Sequence, residues 1–165
     1  MMENAHIRTA RPSDLKALTE MEAVCFPTTE AAGEEAIAQR LRAYPEHFWL
    51  LETEEGEIIS FVNGLATDEP FLRDEMYENA ALHQENGAWQ MIFGVDTLPQ
   101  YRRRGCAARL LNHVAAQARS QGRKGCVLTC KAALVHYYEK FGFVSEGISQ
   151  STHGGAVWYD MRLTF

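Results

Sequence analysis

The chain has 165 residues, 46% hydrophobic and 23% charged, with a formal net charge of −6 at pH 7. That is the size and composition of one globular domain with a core of its own, read here as residues 1–165. The acidic balance argues against general nucleic-acid binding, which needs an extended basic face, and no apolar run has the length of a membrane span.

His6–Thr9 reads as a short strand, broken by Arg11-Pro12-Ser13-Asp14. Ser13 or Asp14 can cap a helix to about Val24, with Leu15, Leu18, Met21 and Val24 as its apolar stripe. Phe26-Pro27-Thr28-Thr29 is a loop, and a second helix follows over about Gly33–Ala43. Phe48–Glu52 and Ile58–Thr67 are strands around the turn at Glu54-Glu55-Gly56. Phe71–Leu82 reads as a short helical insertion and His83–Gly87 as a polar loop. Ala88–Leu98 is the next strand, followed by a long helix to about Ser120 with Leu110, Leu111, Val114 and Ala118 on one face. Beyond the turn at Gly122–Gly125 lie a short buried strand at Val127–Cys130 and a short helix at Leu134–Lys140. Strands at Phe143–Ile148 and Val157–Leu163 flank a turn at His153-Gly154-Gly155. The order is α/β, with a strand–helix–strand crossover at its centre.

The four cysteines, Cys25, Cys106, Cys126 and Cys130, lack the close pairing with histidine that a metal site uses. Cys126 and Cys130 sit in or beside an apolar run and read as buried thiols. No metal is expected, and a reducing, cytoplasmic setting fits. The chemistry gathers instead at Arg102-Arg103-Arg104-Gly105-Cys106-Ala107, a basic turn between strand and helix. Amide N–H groups at a helix start point outward, and the helix dipole adds positive charge there. Glycine lets the main chain approach a bound group, and arginine side chains reach the same anion. The turn suits a pyrophosphate; the plainer reading is a solvated basic turn.

The pattern Arg102-x-x-Gly105-x-Ala107 resembles the acyl-CoA motif of the GNAT superfamily of N-acetyltransferases. Tyr138-Glu139-Lys140-Phe141-Gly142-Phe143 resembles that superfamily's late motif. The wider string with Cys130, Ala133-Leu134-Val135 and Tyr138 is similar to the arylalkylamine (serotonin-type) branch, as is Ala81-Leu82-His83. The resemblance implies an α/β (α+β) GNAT fold: a mixed, mostly antiparallel sheet of about seven strands with flanking helices, splayed where two strands part. It implies acetyl-CoA as cosubstrate in that split, and direct acetyl transfer to the primary amine of a small molecule, arylalkylamines included.

By the same resemblance, Val95 and Thr97 hold the pantetheine arm through main-chain groups, and Arg102 to Ala107 hold the pyrophosphate. Tyr138 aligns with the tyrosine that protonates the departing thiolate; without the motif it reads as a packing tyrosine, with Tyr137 as the fallback. Phe26, Pro27 and Trp158 would wall an acceptor slot with Met91 and Phe93 at its floor, although all five read equally well as core.

Met91 and Phe93 stand where the arylalkylamine branch has two histidines, so neither can take the amine proton. Three accounts stay open: another residue takes the proton through water, with Glu85, His83 and His136 as candidates, each also readable as a plain surface residue; the amine binds already neutral or loses its proton to bulk water; or the protein binds CoA without fast turnover. Asp96 is expected on the opposite side of the strand from Val95, in a structural role. Two other functions stay open: transfer to a protein or peptide amine, and a non-catalytic CoA-binding module. Neither nucleic acid nor membrane is expected as a partner, and monomer and homodimer are both open.

Overall fold

A computed structural model describes residues 4–165. In chain order its first half comprises β1 (His6–Thr9), α1 (Leu15–Cys25), α2 (Glu34–Ala43), β2 (Phe48–Glu52), β3 (Ile58–Asn63), β4 (Ala66–Thr67) and α3 (Asp74–Glu78). The second half comprises β5 (Trp89–Ile92), β6 (Gly94–Thr97), α4 (Cys106–Ser120), β7 (Gly125–Cys130), α5 (Val135–Glu139), β8 (Val144–Ile148) and β9 (Tyr159–Thr164).

These strands form two sheets, ordered β1-β2-β3-β6 and β4-β5-β7-β9-β8. The only parallel pair among them is β5 with β7; the rest are antiparallel. Two strands pass from one sheet to the other. Gly64-Leu65 separates β3 from β4, and Phe93 alone separates β5 from β6. With each broken strand counted once, the expected seven-strand splayed sheet is recovered among the described residues.

The break at Phe93 is a β-bulge. Phe93 N–H donates to Asn63 O at 2.7 Å, while Gly94 also stands opposite Asn63 in the register. Two residues facing one bend the strand. Upstream, β5 follows β7 as far as Ile92 opposite Leu128. Downstream, β6 leaves β7 and pairs with β3 instead. The gap opens there.

Each face of the sheets has its own core. On one, α4 buries Leu110, Leu111, Val114 and Ala118 against Trp49, Ile59, Val62 and Ile92. This is the predicted helical stripe, and each buried leucine contributes about 2 kcal/mol of transfer free energy. On the other, Leu18 and Met21 of α1 and Ile37 and Leu41 of α2 pack with Phe48, Phe61 and Met91.

Several boundaries differ from the sequence reading. The helix expected over Phe71–Leu82 is reduced to α3 and a 3-10 turn at Ala80–Leu82, and the last strand starts at Tyr159, leaving Trp158 in a loop. β8 is the edge of its sheet, with Val144 and Ile148 exposed.

Candidate active site

The walls of the gap are built first from backbone. Leu98 N–H donates to Ile59 O at 3.0 Å, which puts that pair at a hydrogen-bonded position of the ladder. Alternation along an antiparallel ladder then directs the polar groups of Asp96 and Gly94 toward β3. Those of Val95 and Thr97 point the other way, into the gap. The Thr97 carbonyl is already taken, by Cys25 Sγ at 3.3 Å and Arg102 Nε at 3.1 Å.

The basic turn follows directly. Gly105 caps α4 with φ of +79°, a left-handed conformation that glycine adopts without strain. Arg103 shares that region at φ +62°, a non-glycine outlier in the middle of the turn. No side chain caps the helix and its first turn holds no acid, so the positive end of the helix dipole is not offset there. Arg102, Arg103 and Arg104 are exposed. Arg104 stacks over Tyr101 at 5.7 Å. Cys106 turns its side chain into the core and meets Tyr101 O at 3.6 Å, and Ala107 is half-buried behind it.

A cavity of about 430 Å³ lies in the split, walled by Phe26, Pro27, Phe93, Trp158, Val95 and Tyr138. Tyr138 is 7% exposed and packs edge-on against Tyr137 and Phe143. Burial, reinforced by Cys130, Tyr137 and Asp96, pushes its phenol pKa well up. Cys130, also on the cavity wall, is pushed up to about 11 by burial. Tyr137 lies outside the cavity wall, on the core side.

Met91 corrects the expected floor. It is 0% exposed and sealed in the core beside Tyr44, Phe48, Leu65 and Met76. Phe93 shares its side of the strand and does reach the cavity.

The far end of the cavity is roofed by two loops. Lys131 Nζ meets Glu30 Oε2 at 2.8 Å, and the His153 ring contacts Glu30 O at 2.8 Å. At Gly154, φ +62°, a Cβ would stand 2.7 Å from Glu30 Cγ and 2.9 Å from Thr29 O, so the loops touch backbone to backbone. Trp158 Nε1 donates to His153 O, and Tyr77 stacks on His153 and meets the Phe93 ring at a tilt.

None of the three expected proton acceptors reaches this space. The His136 side chain is 87% exposed, beside Glu139. His83 and Glu85 belong to a separate cluster with the buried His47. That trio is the one group of three potential metal-binding side chains among the described residues. Its hydrogen bonds argue for protons instead. His83 Nδ1 accepts Ala66 N–H at 3.1 Å, so its Nε2 carries the ring proton and donates to Glu85 at 2.8 Å. That leaves the ring no lone pair for a cation. Gln90 uses its amide N–H groups on Gly64 O and Met91 O, so its oxygen accepts from His47 Nδ1 at 2.8 Å. The His83 side chain is only 9% exposed, against the expectation of a solvated loop.

The family model for the acetyltransferase (GNAT) family matches residues 15–143. The chain belongs to the GNAT acetyltransferase family. It is 28% identical over 113 residues to serotonin N-acetyltransferase of Mesocricetus auratus, an alignment covering 66% of this chain and 52% of that protein. The chain thus spans about half the length of that curated relative. In fold it is similar to the GphF GNAT-like decarboxylase solved with isobutyryl-CoA, at TM-score 0.79, 22% identity and coverage of 96% and 98%. It is likewise similar to Arabidopsis thaliana Naa50 with the bisubstrate analogue CoA-Ac-MVNAL, at TM-score 0.75, 20% identity and coverage of 98% and 99%.

One part of this GNAT site escaped the sequence reading. Glu22 of α1 and Arg40 of α2 both line the cavity and are both buried. Arg40 donates to Asn63 Oδ1 at 3.1 Å and Tyr77 O at 2.8 Å, and lies 5.0 Å from the centre of the Phe93 ring. Asp96 does lie opposite Val95 on the strand, as expected, and its carboxyl turns toward Glu22. An acid inside the apolar run Ile92–Leu98 was the available signal.

Proposed function

We propose that this GNAT protein transfers the acetyl group of acetyl-CoA directly to the primary amine of a small molecule, with Tyr138 as general acid. The observation that carries the reading is one cavity containing the Tyr138 phenol and the β6 edge, closed by a roof at its far end. The amides of the Arg102-to-Ala107 turn and its exposed arginines suit the pyrophosphate, and the Val95 main chain suits the pantetheine arm. A main-chain N–H on β6 also suits the thioester oxygen as charge develops there.

The raised pKa of Tyr138 keeps the phenol protonated through neutral pH, the form that can donate to a leaving thiolate. Phe26, Phe93 and Trp158 offer an apolar wall for an alkyl or arylalkyl body. A peptide would have to pass between Glu30 and Gly154, which are in contact, and this favours a small acceptor.

The test is free-thiol release from acetyl-CoA across arylalkylamines, polyamines and short peptides. Tyr138→Phe is expected to lower kcat about 100-fold while leaving KM for acetyl-CoA unchanged. Undiminished turnover would remove the acid role, and turnover of peptides alone would remove the small-amine reading.

A further inference from the structure

Acetyl transfer to an amine leaves one proton without a destination. An alkylamine is an ammonium at neutral pH and must lose a proton before its nitrogen can attack. Met91 and Phe93 cannot take it, and His83, Glu85 and His136 lie outside the cavity.

We infer that the Glu22 carboxylate accepts this proton, and that Asp96 is the positioning residue that holds Glu22 through a shared proton. Glu22 lines the cavity beside Cys25, Gly94 and Val95 and is 7% exposed. Its Oε2 accepts Ala32 N–H at 3.0 Å, which ties the carboxylate to the loop between α1 and α2. Its Oε1 faces the Asp96 side of Gly94: a Cβ on that glycine would lie 3.8 Å from Glu22 Oε1 and 3.1 Å from Asp96 Oδ1.

Asp96 is 0% exposed, and no donor group reaches either of its oxygens. A buried carboxylate without a donor is not tolerated as an anion. It carries a proton of its own, and the neighbour able to accept that proton in a hydrogen bond is Glu22. Burial first, and then the Glu22 charge, hold the Asp96 pKa well above its ordinary value. The other groups facing the pair are Cys25 from α1, Arg40 from α2, Asn63 from β3 and, more distantly, Tyr138 from α5. Arg40 is the one cation among them. Two carboxyls sharing one proton carry one negative charge, which Arg40 offsets.

The step balances without a further reagent. One N–H bond of the ammonium breaks, its electron pair stays on nitrogen, and the proton goes to Glu22. The neutral nitrogen forms the C–N bond to the acetyl carbon as the C–S bond breaks. The thiolate takes the Tyr138 proton, the second amine proton restores the phenol, and Glu22 releases its proton to solvent. One proton leaves per turnover.

This inference rests on the amine-acceptor reading above, and the test separates the two. Glu22→Gln keeps an acceptor for Ala32 N–H and removes the base. Thiol release is measured against pH with two acceptors: an alkylamine, and a fluorinated amine that is already neutral at the assay pH. With the alkylamine, kcat is expected to fall about 100-fold or more at unchanged KM for acetyl-CoA. With the neutral amine, most of that loss should disappear. Equal losses on both amines, or no loss on either, would overturn the inference and leave the acceptor reading standing. Wild-type silence on every amine would overturn the acceptor reading and this inference with it. Asp96→Asn keeps a donor to Glu22 but removes the shared proton. It should lower kcat with the alkylamine and displace the acidic limb of kcat/KM while largely sparing the neutral amine, and an unmoved limb would overturn the part given to Asp96.

Discussion

Two polar clusters in this chain, one around the buried His47 and one around the buried Asp96, end differently. Around His47, every ring nitrogen, amide group and carboxylate has a partner: Gln90, Glu85, His83, Ala66 N–H and two backbone carbonyls close the network. Around Asp96, no donor serves either carboxylate oxygen and no acceptor serves Arg40 Nε. Satisfied buried networks rigidify a fold, and each unsatisfied buried group calls for its own account. Position agrees with this division. Glu22 and Arg40 line the cavity, and His47, His83, Glu85 and Gln90 do not.

The strongest way to break this comparison is His47→Ala. Removing the ring strands Gln90 Oε1 and part of the Glu85 carboxylate, and leaves a cavity in the core. We expect a loss of about 3 kcal/mol in urea unfolding, with kcat of the folded fraction unchanged. A large kcat effect at intact stability would merge the two clusters into one site.

The next test is acid and alkali, to which the clusters respond with opposite sign. Burial, followed by the His47 charge, lowers the pKa of His83 below 6.5, although Glu85 opposes the shift. Below 6.5 the unfolded chain therefore binds more protons than the folded one at this site, and stability falls as the pH drops toward the folded value. Asp96 has its pKa raised above 3.8. Its contribution is fully present below 3.8 and is lost as the pH rises toward the folded value. Asp96→Asn should flatten that loss. Thermal melts across pH are expected to find the variant gaining on the parent as pH rises, by about 1 kcal/mol or less near neutrality. A parallel shift at every pH would mean that Asp96 is not protonated in the fold.

The sequence displays the parts of this molecule that are local. The α4 stripe and the Arg102-to-Ala107 turn depend on spacing within one helix and its start, and they were legible. So was the alternation that separates Val95 from Asp96. The break at Phe93 was not, because a bulge is a property of two strands in register. Met91 and Phe93 share a strand face, yet one is sealed and the other lines the cavity. That difference comes from Tyr44, Phe48, Leu65 and Met76, brought over Met91 from elsewhere in the chain. The Glu22–Asp96 pair joins residues far apart in sequence for the same reason.

The outward-turned backbone of β6 has a consequence for how this protein tolerates sequence drift. Side-chain replacement cannot delete a main-chain amide, so the contact proposed for the Val95 N–H does not depend on the identity of the side chain there. Proline is the exception. At Val95 it would remove an N–H that the ladder to β3 does not use, sparing the sheet's hydrogen bonds while erasing that contact. Val95→Ala should therefore keep the acetyl-CoA affinity that Val95→Pro loses.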